Sequence, residues 1–123
     1  MLNRRQRYGE AGEALAARLL RKEGYKIIAT NYRTPLGEID LIARDGDTIV
    51  FVEVKARQNG RFGAPKGAVT PRKQRKISMV ALAYLKTTGQ SRSRARFDVV
   101  SIRSGPLGPE VEIIRNAFDV LYG

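Results

Sequence analysis

The sequence predicts an α/β fold, with a single domain over residues 1–123 that has a mixed central sheet and flanking helices. The chain of 123 residues has the length of one compact domain. Its apolar residues follow helical spacing in some segments and extended spacing in others. The resulting order is helix, three strands, helix and one or two strands, which indicates a mixed sheet with helices packed against it.

The first element is an amphipathic helix, which we expect from about Arg4 to Glu23. Apolar side chains recur at intervals of three and four residues, and Gly24 follows as a typical helix stop. Glu13 falls at the edge of this apolar stripe, about a quarter-turn from its centre. Glu10 lies near the opposite side and should be solvated.

Extended segments follow this helix, and two of them give the clearest local prediction, a β-hairpin. The chain is expected to be extended over residues 25–32, and residues 34–37 (TPLG) supply a turn. Two apolar runs then flank Asp45-Gly46, a pair that favours a two-residue type I′ turn. The position of this turn decides which residues of the two strands face each other.

The second half of the chain contains a loop, a helix and one or two strands. Residues 56–69 are rich in glycine and basic residues and lack periodicity, so they predict a long loop. Thr70-Pro71 is typical of an N-cap followed by the first helical residue, and Gly89 closes that helix. A buried strand is predicted over residues 97–102, where Asp98 is expected to pair with a neighbouring arginine and support the structure. A weaker strand is predicted over residues 111–114.

The composition excludes several kinds of chemistry. Cysteine, histidine and tryptophan are absent, which removes thiolate metal sites, cysteine nucleophiles and the commonest general base. Catalysis by carboxylates, by lysine or by a hard cation held on oxygen remains. No segment approaches the ~20 apolar residues of a membrane span, and the N-terminus does not resemble a signal peptide. We therefore expect a cytoplasmic protein with no membrane partner.

Positive charge is concentrated in one part of the chain. The 23 Lys and Arg residues against 12 Asp and Glu give a net charge of +11. No acidic residue stands between Glu53 and Asp98, and twelve of the 23 bases lie there. A surface that follows phosphates gains from excluding carboxylates, whereas an ordinary solvated basic surface is the alternative. The first interpretation predicts a nucleic-acid-binding surface that includes Arg57, Arg61, Lys66, Arg72, Lys73, Arg75 and Lys76.

Acidic residues and a lysine share one face of the predicted hairpin. Because side chains alternate across a strand, either two-residue turn gathers Glu38, Asp40, Glu53 and Lys55 on one face. With residues 45–46 as the turn, Asp40 is the diagonal neighbour of Glu53, and a shift by one residue puts the two directly opposite. The surrounding apolar residues indicate strands covered on both faces, where charges are unusual. A surface ladder of salt bridges is the alternative.

This predicted cluster of acids needs a positive partner, because burying neighbouring carboxylates is costly. The single positive charge of Lys55 is not enough to balance these carboxylates. Mg²⁺ or Mn²⁺ between Asp40 and Glu53 satisfies the charge balance, and such a cation can activate water and neutralise charge on a phosphodiester. Lys55 could then orient the attacking water or stabilise the developing oxyanion. Glu38 is either a supporting acid or an exposed strand residue.

Four segments in order resemble the small bacterial YraN-like family: residues 9–13 (GEAGE), 37–42 (GEIDLI), 51–55 (FVEVK) and 96–99 (RFDV). Asp40, followed thirteen positions later by Glu53-Val54-Lys55, also resembles the wider PD-(D/E)XK nuclease superfamily. The resemblance covers nearly the whole chain. It implies a restriction-endonuclease-like αβββαβ core and a relationship to archaeal Holliday junction resolvases.

The resemblance also implies roles for individual residues. Asp40 and Glu53 correspond to metal ligands, Lys55 to the catalytic lysine, and Glu13 to an extra acid that resolvase-like members place beside the metal. Ile39 stands where the superfamily has proline, a change that touches no ligand. The implied function is a Mg²⁺- or Mn²⁺-dependent endonuclease acting on branched DNA or on DNA without sequence preference. A homodimer would present two such sites to two strands.

Two other functions remain open on the sequence. A non-catalytic nucleic-acid-binding module that retains the nuclease fold predicts binding without cation-dependent cleavage. A basic interaction domain within a larger nucleic-acid assembly would use its charge only to compensate bound RNA.

Overall fold

The computed structural model describes residues 4–57 and 69–119, which form a five-stranded sheet in the order β1-β2-β3-β4-β5 with two helices. The strands β3 and β4 are parallel, and the other neighbours are antiparallel. The predicted mixed α/β sheet with flanking helices is confirmed. In chain order the elements are α1 (Arg4–Lys22), β1 (Lys26–Thr34), β2 (Gly37–Asp45), β3 (Thr48–Arg57), α2 (Pro71–Thr87), β4 (Arg94–Gly105) and β5 (Gly108–Phe118).

A hydrophobic core lies on each face of the sheet, with one helix over each. On one face, α1 packs Leu20 against Val50 and Val52 of the central strand β3. On the other face, α2 packs Tyr84 against Phe51 of the same strand. Alternate residues of β3 therefore enter opposite cores, as expected for a central strand covered on both sides.

The end of α1 and the start of α2 lie where their sequence signals predict. The α1 helix stops at Lys22, and Gly24 has φ 94° while its N–H donates to Arg21, a typical glycine stop. At the start of α2, Thr70 accepts a hydrogen bond from the backbone N–H of Lys73 at 3.2 Å, and Pro71 is the first helical residue. None of the helices within the described ranges is long and apolar enough to cross a membrane.

The predicted hairpin between β2 and β3 is confirmed, but its turn lies one residue later than Asp45-Gly46. Asp45 pairs with Thr48, so Gly46 and Asp47 form the turn. Gly46 has φ 59°, and a glycine at the first of two turn residues is typical of type II′ rather than type I′. Asp45 stays in the strand, where its carboxylate lies 2.7 Å from a guanidinium nitrogen of Arg96 on β4.

The two C-terminal strands are longer than predicted. The β4 strand extends beyond residues 97–102 at both ends, and β5 has 11 residues rather than a short segment at 111–114. The predicted loop over residues 56–69 begins later, since residues 56 and 57 belong to β3 and Val69 is buried. Residues 58–68 lie outside the described part of the chain.

A fully buried carboxylate, Asp98, holds an irregular part of the β4–β5 pair. The register between these strands shifts between Phe97 and Val99, and Asn116 on β5 has φ 53°. The freed N–H of Asn116 donates to Asp98 Oδ1 at 2.9 Å, and Arg96 Nε donates to the same oxygen at 3.0 Å. The hydroxyl of Tyr25 donates to Oδ2 at 2.8 Å. The expected arginine partner is thus confirmed, and Asp98 compensates for a bulge in the sheet.

Replacing Asp98 with alanine should lower the free energy of unfolding by about 3 kcal/mol, because Arg96, Tyr25 and the N–H of Asn116 would lose their shared buried acceptor. Urea unfolding at neutral pH measures this loss. Glu110→Ala is the matched control, since Glu110 forms an exposed ion pair with Arg103 on the same two strands. The control should cost about 1 kcal/mol or less, and equal losses in the two variants would contradict the role given to Asp98.

Candidate active site

Strands β2 and β3 stop pairing before either strand ends. The last backbone pair between them joins Leu41 and Val52. Beyond it, β2 remains paired with β1 as far as Gly37, and β3 remains paired with β4 as far as Arg57. The two strands therefore diverge, and we call the space between them the β2–β3 crevice.

Asp40 is the first residue of β2 beyond the last pair, and its side chain bridges the β2–β3 crevice. Its Oδ2 accepts a hydrogen bond from the backbone N–H of Val54 at 2.8 Å. The carboxylate thus satisfies a β3 donor that would otherwise lack a partner on β2. When the register of the ladder is continued, Asp40 lies opposite Glu53, as predicted for a turn shifted by one residue.

Glu53 is a buried carboxylate, 6% exposed, and two lysines neutralise it. Lys55 Nζ lies 3.6 Å from Glu53 Oε1, and the ammonium group of Lys73 is in direct contact with the same oxygen. Lys73 belongs to the first turn of α2, where the Thr70 cap fixes its backbone. From the sequence, Lys73 is expected only among the phosphate-binding residues. The structure instead places it at the carboxylate cluster.

The charges in this cluster shift one another's proton affinity. Burial, together with the negative charge of Glu53, raises the pKa of Asp40 to about 7, although the hydrogen bond from Val54 opposes this shift. Burial and the neighbouring Lys73 lower the pKa of Lys55. Burial alone would lower the pKa of Lys73, but its ion pair with Glu53 raises it overall. Such mutual perturbation is typical of functional sites.

Glu13 approaches this cluster from α1. Its neighbour Gly12 is packed so closely on β3 that a Cβ atom there would lie 3.2 Å from Cβ of Ala56. The half-buried Glu13 contributes to the raised pKa of Asp40, so its charge acts on the β2–β3 crevice. Among the side chains that the structure describes, in residues 11–56 and 69–119, however, no group of three or more acids is assembled as a metal site. The predicted three-acid set is therefore not preformed.

The donor chemistry of the crevice nevertheless fits a hard divalent cation. Asp40 and Glu53 supply carboxylate oxygens, and Mg²⁺ commonly takes only one or two protein carboxylates, with water and substrate phosphate completing its shell. The repulsion between these two carboxylates, which raises the pKa of Asp40, is what a cation would relieve. In the structure, Lys55 and Lys73 supply the positive charge beside Glu53.

A basic surface lies beside the crevice, at the amino end of α2. Arg72, Arg75 and Lys76 are exposed there, and a cavity of about 310 Å³ is lined by Thr70, Arg72, Lys73 and Lys76. The cavity thus presents three cationic side chains at the positive end of the helix dipole. The side chains of the other predicted phosphate-binding residues, Arg57, Arg61 and Lys66, lie outside the described part of the chain.

Two further polar residues near the crevice have structural partners. Glu38 is exposed, and its carboxylate lies 3.1 Å from Arg33 Nε, so of its two predicted alternatives the structure shows the exposed strand residue. The side chain of Gln74 donates to the carbonyl of Val69 at 2.8 Å. This bond ties the start of α2 to the residue that precedes its cap.

The mixed sheet, a helix on each face and an Asp and Glu-x-Lys set on diverging central strands define a PD-(D/E)XK-like domain with a restriction-endonuclease-like core. The model of a family described as Uncharacterised protein family UPF0102 matches residues 12–102. UPF0102 proteins from Desulfosudis oleivorans and Syntrophus aciditrophicus are 57% and 50% identical, over 97% and 95% of this chain and 95% and 92% of theirs. The chain therefore belongs to UPF0102, the YraN-like family that its sequence resembles.

A solved structure of Pyrococcus furiosus SfsA in complex with Ca²⁺ is a more distant match. It has 13% identity and a TM-score of 0.36, and the match covers 88% of this chain and 61% of that chain. At this level of similarity neither a shared fold nor a shared ligand follows.

Replacing Asp40 with asparagine should stabilise the metal-free protein above pH 7 and change little near pH 4. The pKa of Asp40 rises from 3.8 to about 7 on folding, so ionised Asp40 costs folding free energy, and this cost grows as the pH rises between those values. The amide oxygen of asparagine can still accept from Val54. We expect a Tm higher by about 4 °C or more at pH 8, measured by thermal unfolding in EDTA.

Glu38→Gln is the matched control for this experiment, because it removes an exposed carboxylate from the same strand. Its Tm should follow that of the wild type at both pH values. An Asp40→Asn variant no more stable than the wild type at pH 8 would contradict a buried carboxylate repelled by Glu53.

Proposed function

We propose that this protein is a Mg²⁺- or Mn²⁺-dependent endonuclease that hydrolyses DNA phosphodiester bonds in the cytoplasm, with selectivity for structure rather than sequence. The observation that carries the proposal is the meeting of Asp40, Glu53 and Lys55 where β2 and β3 diverge. Two acids from adjacent strands and one amine thus share a single location. Membership of UPF0102 agrees with this geometry but names no activity.

Each residue of the cluster has a chemical task in this proposal. Asp40 and Glu53 hold the cation, and the charge of Glu13 strengthens the attraction of the crevice for it. When bound, the cation supplies positive charge against the phosphate oxygens and acidifies water. Lys55, whose pKa burial lowers, orients the attacking water or donates a hydrogen bond to the developing phosphate charge.

The basic surface at the start of α2 binds the DNA backbone. Arg72, Arg75 and Lys76 are exposed at the start of α2, and Arg72 and Lys76 also line the cavity beside the crevice. Contacts from such residues to phosphates position a duplex without reading its sequence. Branched DNA brings two strands within reach of one protein, and a two-fold dimer would offer an active site to each.

Cleavage assays test this proposal with branched, single-stranded and duplex DNA, first in Mg²⁺ and then in Mn²⁺. We expect cation-dependent cleavage by the wild type and a loss of about a hundredfold or more in Asp40→Asn and in Lys55→Ala, because each removes one charged group from the reacting centre. Glu38→Gln should cleave at the wild-type rate, because Glu38 pairs with Arg33 at the surface. Cleavage that persists in both site variants would reveal a contaminating nuclease and defeat the proposal.

The affinity for DNA should fall steeply as salt concentration rises, since each phosphate contact releases counterions. Arg75→Gln and Lys76→Gln should each reduce the slope of log K against log salt concentration by about 1. Lys86→Gln is the control, because Lys86 lies in the last turn of α2, about 15 Å along the helix from Lys76. Fluorescence anisotropy with a labelled duplex measures these slopes, and an affinity that hardly changes with salt would contradict the basic surface as the binding site.

A second candidate function is a nucleic-acid-binding module that retains the fold without turnover. The ion pairs of Glu53 with Lys55 and Lys73 favour it, because both lysines neutralise a proposed metal ligand. The same assays separate the candidates, since this module binds DNA and leaves it intact in either cation.

A further inference from the structure

Lys73 connects the two parts of the proposed site. Its ammonium group contacts the buried carboxylate of Glu53, and its side chain also lines the basic cavity with Arg72 and Lys76. The side chain of Lys73 is 43% exposed, whereas that of Glu53 is 7% exposed. One flexible cation therefore lies between a buried anion and a surface suited to anions from solution.

We propose that Lys73 is a positioning residue that couples nucleic-acid binding to cation binding. In the free protein it neutralises Glu53 and so competes with Mg²⁺ or Mn²⁺ for that carboxylate. When a phosphate group enters the basic cavity, the ammonium group exchanges Glu53 for the phosphate. Glu53 is then available to the cation beside Asp40. This inference rests on the proposed function, because it concerns how the same carboxylates become available.

The exchange of Glu53 for phosphate requires little rearrangement of the fold. The backbone of Lys73 is held by the Thr70 cap, so only the four-carbon stem of the side chain has to move, and such stems are flexible. The ammonium group keeps an anionic partner in both positions. Lys55 is the less mobile of the two lysines, since it is 24% exposed and stands on the central strand.

The charge balance of the crevice changes with this movement. With Lys73 in place, the charges of Asp40 and Glu53 are matched by two ammonium groups. When Lys73 leaves, Lys55 alone opposes Asp40, Glu53 and the nearby charge of Glu13, and the crevice becomes attractive to a cation. By linkage, DNA raises the affinity for the cation and the cation raises the affinity for DNA by the same factor. The protein would therefore bind its cation tightly only when nucleic acid is present.

The test is a titration with Mn²⁺ in the absence of DNA, in which the electron paramagnetic resonance signal of the free ion measures binding. Lys73→Met should bind Mn²⁺ about tenfold more tightly than the wild type, because it removes a competing charge next to Glu53. Lys73→Arg retains the charge and should behave as the wild type. Lys86→Met removes an equal charge from the last turn of α2 and should change the Mn²⁺ affinity by about twofold or less.

The second arm measures the affinity for a phosphorothioate-substituted DNA duplex in EDTA and in Mn²⁺ at matched ionic strength. Mn²⁺ should strengthen binding in the wild type and in Lys86→Met, and this gain should disappear in Lys73→Met. Unchanged Mn²⁺ affinity in Lys73→Met, with an unchanged gain, would overturn the coupling.

Glu53→Gln separates this failure from failure of the proposed function. If Glu53→Gln binds Mn²⁺ more weakly while Lys73→Met equals the wild type, the metal site stands and only the coupling is wrong. If adding Glu53→Gln to Lys73→Met leaves the Mn²⁺ affinity of Lys73→Met unchanged, the proposed metal site is itself wrong, and the coupling falls with it.

Discussion

The centre of this protein depends on one half-buried backbone N–H group that needs an acceptor. When β2 leaves β3 beyond Leu41, the N–H of Val54 loses its neighbour on β2, and the side chain of Asp40 takes that place. A carboxylate is thereby drawn next to Glu53, into surroundings where its charge is poorly solvated. The lysines around Glu53 then compensate for a concentration of negative charge that the backbone itself creates.

The sheet contains two buried carboxylates whose environments differ in kind. Asp98 and Glu53 stand on neighbouring strands and face opposite cores, and both are almost inaccessible to solvent. Asp98 is held by a planar guanidinium, a phenol and a backbone N–H, all fixed by the fold. Glu53 is held by two ammonium groups on long, flexible stems. The first arrangement is suited to a permanent structural role, and the second to an exchange of partners.

Most of the fold could be predicted from short-range signals in the sequence. The stop at Gly24 and the cap at Thr70 act within one helical turn, and the alternation around Phe51 identifies a strand covered on both faces. The shift of the β2–β3 turn could not be predicted in this way, since both turn positions keep the same residues on each face. In the observed register Asp45 stays in the strand and pairs with Arg96, which is distant in sequence.

The candidate site likewise contains residues that short-range signals predict and one that they do not. Asp40, Glu53 and Lys55 could be predicted, because strand alternation and one tight turn relate them. Lys73 could not, because its contact with Glu53 depends on how α2 packs on the sheet after the intervening residues 58–68. The full length of β5 could not be predicted for a related reason. Its irregular residue Asn116 is compensated by Asp98 from another strand, and no local pattern records that bond.

The parallel pairing of β3 with β4 has a consequence for the order in which a nascent chain acquires its structure. Strands β1 to β3 are joined by tight turns and can pair as they leave the ribosome, whereas β4 must wait for the whole crossover that includes α2. Until that crossover folds back, the three paired strands expose one apolar face, and Glu53 lacks its partner Lys73 from α2. The ionic balance of the molecule is thus completed late in its synthesis, by the same helix that covers its second core.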